Sequence, residues 1–321
     1  MGNFNNQLGL PITILQLDED TEISVLEMGM SGFGEIEFLT RIARPHLAVI
    51  TNIGEAHMQE LGSRAGIAQA KYEITKGLLE EGVLFFDGDE PLLRALVAED
   101  LDTETMSFGF AEHNTLVASH IETTKTGSRF NVSGLMEGTF EISVLGEHQV
   151  KNALSAILIS KALGLTDEQI RTSLKQVTLT DMRMQLVPME NGSLFINDAY
   201  NAAPTSMRAA IQFVQKTAMR PEKWLVLGDM LELGEDEKSL HEQMAAEIDV
   251  EKIARVCLYG PRMKWLYDQL KLVFGEQRLL YTERDYEPII ELIRREADDR
   301  TLILLKGSRG MKLENIIKGI N

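Results

Sequence analysis

The stretch HLAVITNIGEAHMQELGSRAGIAQAKYE, His46 to Glu73, decides the fold class. Leu47 to Ile50 is a four-residue apolar run that stops in a polar turn carrying Asn52, Glu55 and His57. Lys71 follows fourteen residues after His57, on a segment with helical patterning. A buried strand that ends in a polar turn and returns through a helix is the unit of an open α/β sheet. Such sheets bind ligands beyond the carboxyl ends of their strands.

Outward from that unit, the alternation continues. Glu22 to Met28 (EISVLEM) has the alternation of a strand, Phe38 to Ala43 and Ile67 to Leu79 are expected helices, and Val83 to Phe86 is a strand closed by the turn Asp87-Gly88-Asp89. Short β-prone pieces then follow one another from about residue 103 to 145, MSFGF, TLVASHIE, SRFNVSG and TFEISVL, with turn chemistry at Thr126-Gly127-Ser128. They predict antiparallel hairpins appended to the sheet. A helix is expected from Gly146 through Leu163.

A second alternating block starts near residue 185. Strands are expected at Leu194 to Ile196, Trp224 to Leu227, Arg255 to Tyr259, Arg278 to Tyr281 and Leu302 to Leu305. Helices are expected between them at Ser206 to Thr217, Lys238 to Ile248, Met263 to Leu272 and Tyr286 to Ala297. This is the pattern of a doubly wound, Rossmann-like domain. The expected division is residues 1–184 and 185–321, in line with two domains in 321 residues.

Composition bounds the function. Lysine and arginine number 32 against 49 aspartates and glutamates, a net charge of −17. That balance argues against nucleic acid or an anionic membrane surface as partner. The single cysteine, Cys257, lies in an apolar run and excludes an internal disulfide, which fits a reducing, cytoplasmic setting. No apolar run reaches the length of a membrane span, so membrane insertion is not expected.

The candidate site residues sit in strand-end loops. Glu27 ends the EISVLEM run, and Glu55 and His57 follow Leu47 to Ile50. Carboxylates with one imidazole suit Mg²⁺ or Mn²⁺ better than a structural zinc. Alone, His57 has the look of a structural histidine and Lys71 that of a solvated helix lysine. Gly146-Glu147-His148-Gln149-Val150-Lys151-Asn152 opens a helix, where free N–H groups and the Asn152 amide could meet a heterocycle or simply start the helix. Arg183, at the domain boundary, could reach a transferring phosphoryl group or form a boundary salt bridge. Asp198, Tyr200 and Asn201 lie in the loop before Pro204; Lys306, Ser308 and Arg309 lie in the loop Lys306-Gly307-Ser308-Arg309-Gly310. Both follow expected strands, and Leu227-Gly228-Asp229-Met230 is a third such loop.

Taken in order, these loops resemble the Mur ligases of peptidoglycan synthesis. The strings are GNFNN (2–6), LEMGM (26–30), TNIGEAHMQELGS (51–63), AKYEI (70–74), GEHQVKNALSA (146–156), NDAYNAAPTSM (197–207), LGDMLELGE (227–235) and LKGSRGMKLE (305–314). The last two resemble the branch that adds D-alanyl-D-alanine. The resemblance implies a truncated central ATP-binding domain (1–184) followed by a Rossmann-like C-terminal domain (185–321). It implies ATP-dependent amide formation through an acyl phosphate, with ATP and Mg²⁺ required. UDP-N-acetylmuramoyl-tripeptide and D-alanyl-D-alanine would be the substrates of a monomeric enzyme. Glu27 and His57 would be Mg²⁺ ligands, joined by Lys71 in carbamylated form; Lys71, Arg183 and His57 would be catalytic. Asn152, Arg183 and Asp198 would contact the nucleotide. Asn5 and Asn6 would meet the UDP-sugar, and Tyr200, Asn201, Lys306, Ser308 and Arg309 the peptide or acceptor side.

One family element is missing from these residues. No G-x-x-x-x-G-K phosphate loop occurs in the 321 residues, and the resemblance starts inside the central domain, just before GNFNN. The expectation is that this chain alone is inactive or nearly so. Two other readings stand beside it: another amide ligase of the superfamily, such as a folylpolyglutamate synthase, or a non-catalytic acceptor-binding module.

Overall fold

A computed structural model describes residues 4–55, 57–124, 127–178 and 182–320. Thr126 of the expected turn, Asp181 at the boundary, and Gly2 and Asn3 of the GNFNN string lie outside them.

Among the described residues the strands form two six-stranded sheets. The first holds β1 (Leu47–Ile50), β2 (Val83–Asp87), β3 (Glu104–Gly109), β4 (Leu116–Thr123), β5 (Ser128–Gly134) and β6 (Gly138–Ile142), in that spatial order. β1 to β4 run parallel, and β4, β5 and β6 pair antiparallel. The second holds β7 (Gln185–Pro188), β8 (Leu194–Asn197), β9 (Glu222–Gly228), β10 (Arg255–Tyr259), β11 (Leu279–Thr282) and β12 (Thr301–Lys306). Its spatial order is β11-β10-β9-β12-β8-β7, all parallel except the edge strand β7.

The helices are α1 (Gly9–Leu15), α2 (Glu35–Ala43), α3 (Met58–Leu61), α4 (Arg64–Tyr72), α5 (Pro91–Glu99), α6 (Glu147–Ala162) and α7 (Asp167–Lys175), then α8 (Pro204–Lys216), α9 (Glu237–Gln243), α10 (Met263–Leu270), α11 (Glu287–Glu296) and α12 (Glu314–Ile320). Each sheet is covered on both faces. In the first, Val150, Leu154 and Ile157 of α6 pack with Phe85 and Phe108 on one face, while Ile67 of α4 and Leu93 of α5 pack with Leu84 and Phe86 on the other. In the second, Met207 and Ile211 of α8 pack with Leu225 and Leu304, and Ile293 of α11 and Ile316 of α12 with Val226 and Ile303. Successive residues of a strand point to opposite faces, so a sheet covered twice needs unbroken apolar runs such as Leu302 to Leu305. No helix among the described residues is long and apolar enough to cross a membrane.

Two sequence expectations are corrected. Residues 21–30 form no strand, and Ile23 and Val25 of the EISVLEM run are exposed. Alternation creates β propensity, but a strand also needs a hydrogen-bonded neighbour, and no described strand pairs with this run. β3, which contains MSFG of the MSFGF run, is no hairpin arm; it pairs parallel with β2 from Val83↔Glu104 to Asp87↔Phe108. Strand direction depends on a distant partner and cannot be read from the run itself. The antiparallel hairpins begin only with β4 and β5.

Candidate functional site

In the second sheet the chain moves from β8 past β12 to β9, then outward to β10 and β11, and returns to insert β12. That reversal opens a crevice beyond the carboxyl ends of β8, β12 and β9. The loops after these three strands are cross-linked there. Lys306, 2% exposed, donates from Nζ to Asp198 Oδ2 at 2.6 Å and to the Asn201 carbonyl at 3.1 Å. Asp198 Oδ1 also accepts from the Met184 amide at 3.1 Å. Ser308, 5% exposed, accepts at Oγ from the Leu231 amide at 2.9 Å and donates to the Ala202 carbonyl at 3.3 Å. Gly307 permits this closeness: a Cβ there would lie 3.0 Å from Gly228 Cα.

The third loop is held from below. Asp229 is buried, and its carboxylate accepts the Arg262 and Met263 amides at 3.2 and 2.9 Å, at the start of α10. Burial raises its pKa. His241, 0% exposed, accepts the Met230 amide at Nε2 and donates from Nδ1 to the Glu237 carbonyl. That pattern requires the neutral ring, and burial lowers its pKa accordingly.

Residues from the first sheet face this crevice. Glu55 accepts from both the amide and the hydroxyl of Thr205, at 3.1 and 2.7 Å, on the first turn of α8. His57, in left-handed conformation with φ 65°, has Nδ1 3.5 Å from Glu232. His148, on the first turn of α6, has its pKa lowered by burial and by Lys306, against the opposing pull of Asp198 and Glu147. Arg183 lies between two residues of positive φ, Met182 and Met184, and its guanidinium stacks 4.5 Å above the Tyr200 ring.

Lys71 differs from its reading as a solvated lysine. Its Nζ donates to the Asn52 carbonyl at 2.9 Å, which brings it to the loop after β1, and burial lowers its pKa. Asn5 donates to Glu27 at 3.0 Å. Asn6 Oδ1 accepts the Leu8 and Gly9 amides at the start of α1. Asn152 is exposed and donates to Gln149 at 3.2 Å. Asn201 Oδ1 accepts the Ala202 amide, and Arg309 pairs with Glu314 at 2.7 Å. The structure thus brings Asp198, Asn201 and Lys306 into one cluster and sets Arg183 on Tyr200. Among the described residues it gathers no three His, Cys, Asp or Glu side chains into a metal-binding group.

Two supporting groups escaped sequence reasoning. Lys151 bridges Asp87 and Asp89, with Nζ 2.8 Å and 2.9 Å from their carboxylates, and so ties the end of β2 to the first turns of α6. Burial opposes the charge of Lys151, but bonds to the two carboxylates outweigh it and raise its pKa. Glu73 accepts the Gly34 and Glu37 amides at the start of α2. The D-G-D turn and the helix start at Gly146 were both visible in the sequence; nothing local linked them across 64 residues.

Comparison with known proteins fits this architecture. Residues 1–160 match the family profile described as Mur ligase middle domain, and residues 182–309 match Mur ligase, glutamate ligase domain. The chain belongs to the Mur ligase family. Among its relatives is the UDP-N-acetylmuramoyl-tripeptide--D-alanyl-D-alanine ligase of Bacillus subtilis (strain 168), 45% identical over 320 residues, which cover 99% of this chain and 68% of that protein. The crystal structure of MurF from Acinetobacter baumannii superposes with a TM-score of 0.89 at 29% identity, over 100% of this chain and 69% of that one. MurF from Thermotoga maritima in complex with ADP gives 0.87 at 26% identity, over 100% and 72%. The chain therefore spans about two thirds of the length of these relatives.

Proposed function

We propose that this chain carries the middle and C-terminal parts of an ATP-dependent ligase that joins D-alanyl-D-alanine to UDP-N-acetylmuramoyl-tripeptide, with the domains divided at 1–184 and 185–321. The observation that carries the reading is the cross-linked crevice of Asp198, Asn201, Lys306 and Ser308, in a chain 45% identical over 320 residues to a ligase named for that activity.

In the proposed reaction a tripeptide carboxylate oxygen attacks the γ-phosphorus of ATP, and ADP leaves. The dipeptide amine then attacks the acyl carbon of the acyl phosphate, its proton is lost, and inorganic phosphate departs. Fixed charge and orientation lower the barrier more than covalent participation by the protein. Arg183, stacked on the Tyr200 ring, serves the transferring phosphoryl group. Asn152 serves the adenine and Asp198 the ribose. Arg309 and Lys306 face the acceptor carboxylate, with Ser308 bracing their loop. Asn5 and Asn6 serve the UDP-sugar.

The donor types suit Mg²⁺: carboxylate from Glu27, imidazole from His57, and a carbamate on Lys71. A depressed amine pKa leaves more of Lys71 neutral, the form that adds CO₂ with loss of a proton. Bound Mg²⁺ would neutralise phosphate charge. Exposure to ¹³CO₂ should give a carbamate carbon resonance lost in Lys71→Ala; an unchanged spectrum in that variant removes the assignment.

These 321 residues hold no glycine-rich phosphate loop, so we propose that they turn over little or not at all when tested as such. Two measurements separate the claims. Calorimetry should show D-alanyl-D-alanine binding more tightly than D-alanine; equal binding sinks the acceptor assignment. Mass spectrometry after incubation with ATP and both substrates should show no ligated product; product would overturn the inactivity and keep the ligase reading.

A further inference from the structure

The three polar side chains of the loop after β12 are held in different ways. Lys306 and Ser308 are buried, whereas the Arg309 side chain is 53% exposed. Arg309 is nevertheless fixed at one nitrogen. Its Nη1 donates to Glu314 Oε1 at 2.7 Å and to Met182 Sδ at 3.5 Å. Among the described residues its Nε and Nη2 meet no partner. Those two nitrogens form the side edge of a guanidinium, which takes a carboxylate through two parallel bonds. The tether therefore occupies the one nitrogen outside that edge.

Glu314 is built as an anchor. Its side chain is 16% exposed, and it opens α12. Leu313 before it is fully buried against two crevice glycines: a Cβ at Gly228 or Gly307 would lie 3.0 or 2.8 Å from Leu313 Cδ1. Tyr286 Oη donates to the Met311 carbonyl at 2.6 Å and holds the turn between Arg309 and Glu314. Glu314 Oε2 is buried and has no hydrogen-bond partner among the described residues, so Arg309 is the partner that satisfies this carboxylate. A mostly buried carboxylate bonded through one oxygen is costly to keep. What it secures is the direction of Arg309.

Resting on the reading that Arg309 faces the acceptor, we propose that Glu314 is a positioning residue. It holds Arg309 so that the Nε–Nη2 edge meets the C-terminal carboxylate of the dipeptide, and it thereby sets the site's preference for an acceptor carrying that charge. Two effects of Glu314 oppose each other. Its own negative charge reduces the pull of Arg309 on a carboxylate. Its tether orders a long, rotamer-rich side chain before the ligand arrives, which favours binding. Water around the exposed guanidinium screens the first effect, so orientation wins. The sign of the change in a charge-removing variant decides between them.

Calorimetric titration of the 321-residue chain with D-alanyl-D-alanine and with its C-terminal amide, D-alanyl-D-alaninamide, tests the proposal. Wild type should bind the carboxylate form about tenfold more tightly than the amide. Glu314→Gln keeps an oxygen facing Arg309 without the charge. In it dipeptide affinity should fall about fivefold while the amide is unaffected, which leaves a preference of about twofold. Glu314→Asp, which keeps the charge and shortens the tether, should also weaken the dipeptide. Arg309→Ala should abolish the preference, and Glu314→Gln added to it should change nothing further. A purely structural Glu314 would weaken both ligands alike, in either background. Thermal unfolding checks that each variant folds. Unchanged or tighter dipeptide binding in Glu314→Gln, with the preference lost in Arg309→Ala, overturns the role of Glu314 and leaves the acceptor reading standing. Equal affinity of wild type for the two ligands, or no dipeptide binding, overturns the acceptor reading of Arg309 and this role with it.

Discussion

The two halves of the crevice are built differently. On the C-terminal side the strand-end loops are tied to one another by buried groups: Lys306 to Asp198, Ser308 to Leu231 and Ala202, Asp229 to the start of α10. On the N-terminal side the support is uneven: Lys71 is held on α4 at the Asn52 carbonyl, whereas Glu27 is exposed and lies outside any helix or strand. Glu27 accepts from Asn5 in a run that forms no described strand, beside exposed Ile23 and Val25, and Phe4, Leu8, Leu15 and Phe33 are exposed as well. One half holds its functional groups through its own core. The other presents Glu27 without comparable support. In the first, functional and structural roles are inseparable; in the second they can be separated by mutation.

Breaking the rigid half should have the largest effect. Lys306→Met strands the Asp198 carboxylate beside a vanished partner, and urea unfolding should show a loss of about 3 kcal/mol. A loss below about 1 kcal/mol would show that water already serves Asp198. Asp229→Ala removes an acceptor from two amides at the start of α10 and should cost about 2 kcal/mol. Ser308→Ala should cost about 1 kcal/mol by the same measurement.

Acid should weaken the same half. His241 is lowered by burial from an ordinary value of 6.5, so the unfolded chain takes up its proton first as pH falls. Stability from this group is complete above the unfolded value and declines through the window between 6.5 and its lower folded value. His148 behaves likewise at the crevice. Urea midpoints across that window should fall with decreasing pH, and His241→Asn should flatten the slope by up to one proton. Lys71, a cation when protonated like the histidines, gives the same slope at alkaline pH: its lowered value means the folded state sheds the proton first, and stability rises with pH toward 10.5. The smallest effect belongs to the exposed run. Val25→Thr should change stability by less than about 0.5 kcal/mol, and a larger loss would show that residues 21–30 are packed in solution.

The same contrast governs what could be read from the sequence. The C-terminal sheet was legible because its parallel strands are buried on both faces and spell apolar runs, such as Val256-Cys257-Leu258 and Leu302 to Leu305. EISVLEM misled because alternation reports propensity and not a partner. The direction of β3 was hidden for the related reason that its neighbour, β2, is a separate segment. Lys306, Ser308 and Arg309 were marked as polar loop residues, but their division into two buried braces and one exposed cation is a property of the packed loops. Lys71 looked idle because the carbonyl it meets, that of Asn52, lies nineteen residues away on another element. The α5 and α12 helices went unread: each is short, although Glu90 caps α5 and Pro91 opens it.

Glu55 closes the start of a helix that belongs to the other sheet. Helix α8 begins with Ala203 and Pro204, which offer no side-chain oxygen, and the second amide of the helix, that of Thr205, is satisfied by a carboxylate from the other sheet's loop. The helix borrows its terminus from its neighbour across the crevice. Separation of the domains therefore also frees the first turn of α8, and with it the Asp198 to Ala203 loop, to fray. Opening and local order become a single event: the crevice acts like a clasp whose two leaves stiffen only while shut, and amide exchange at Thr205 would keep time with its opening.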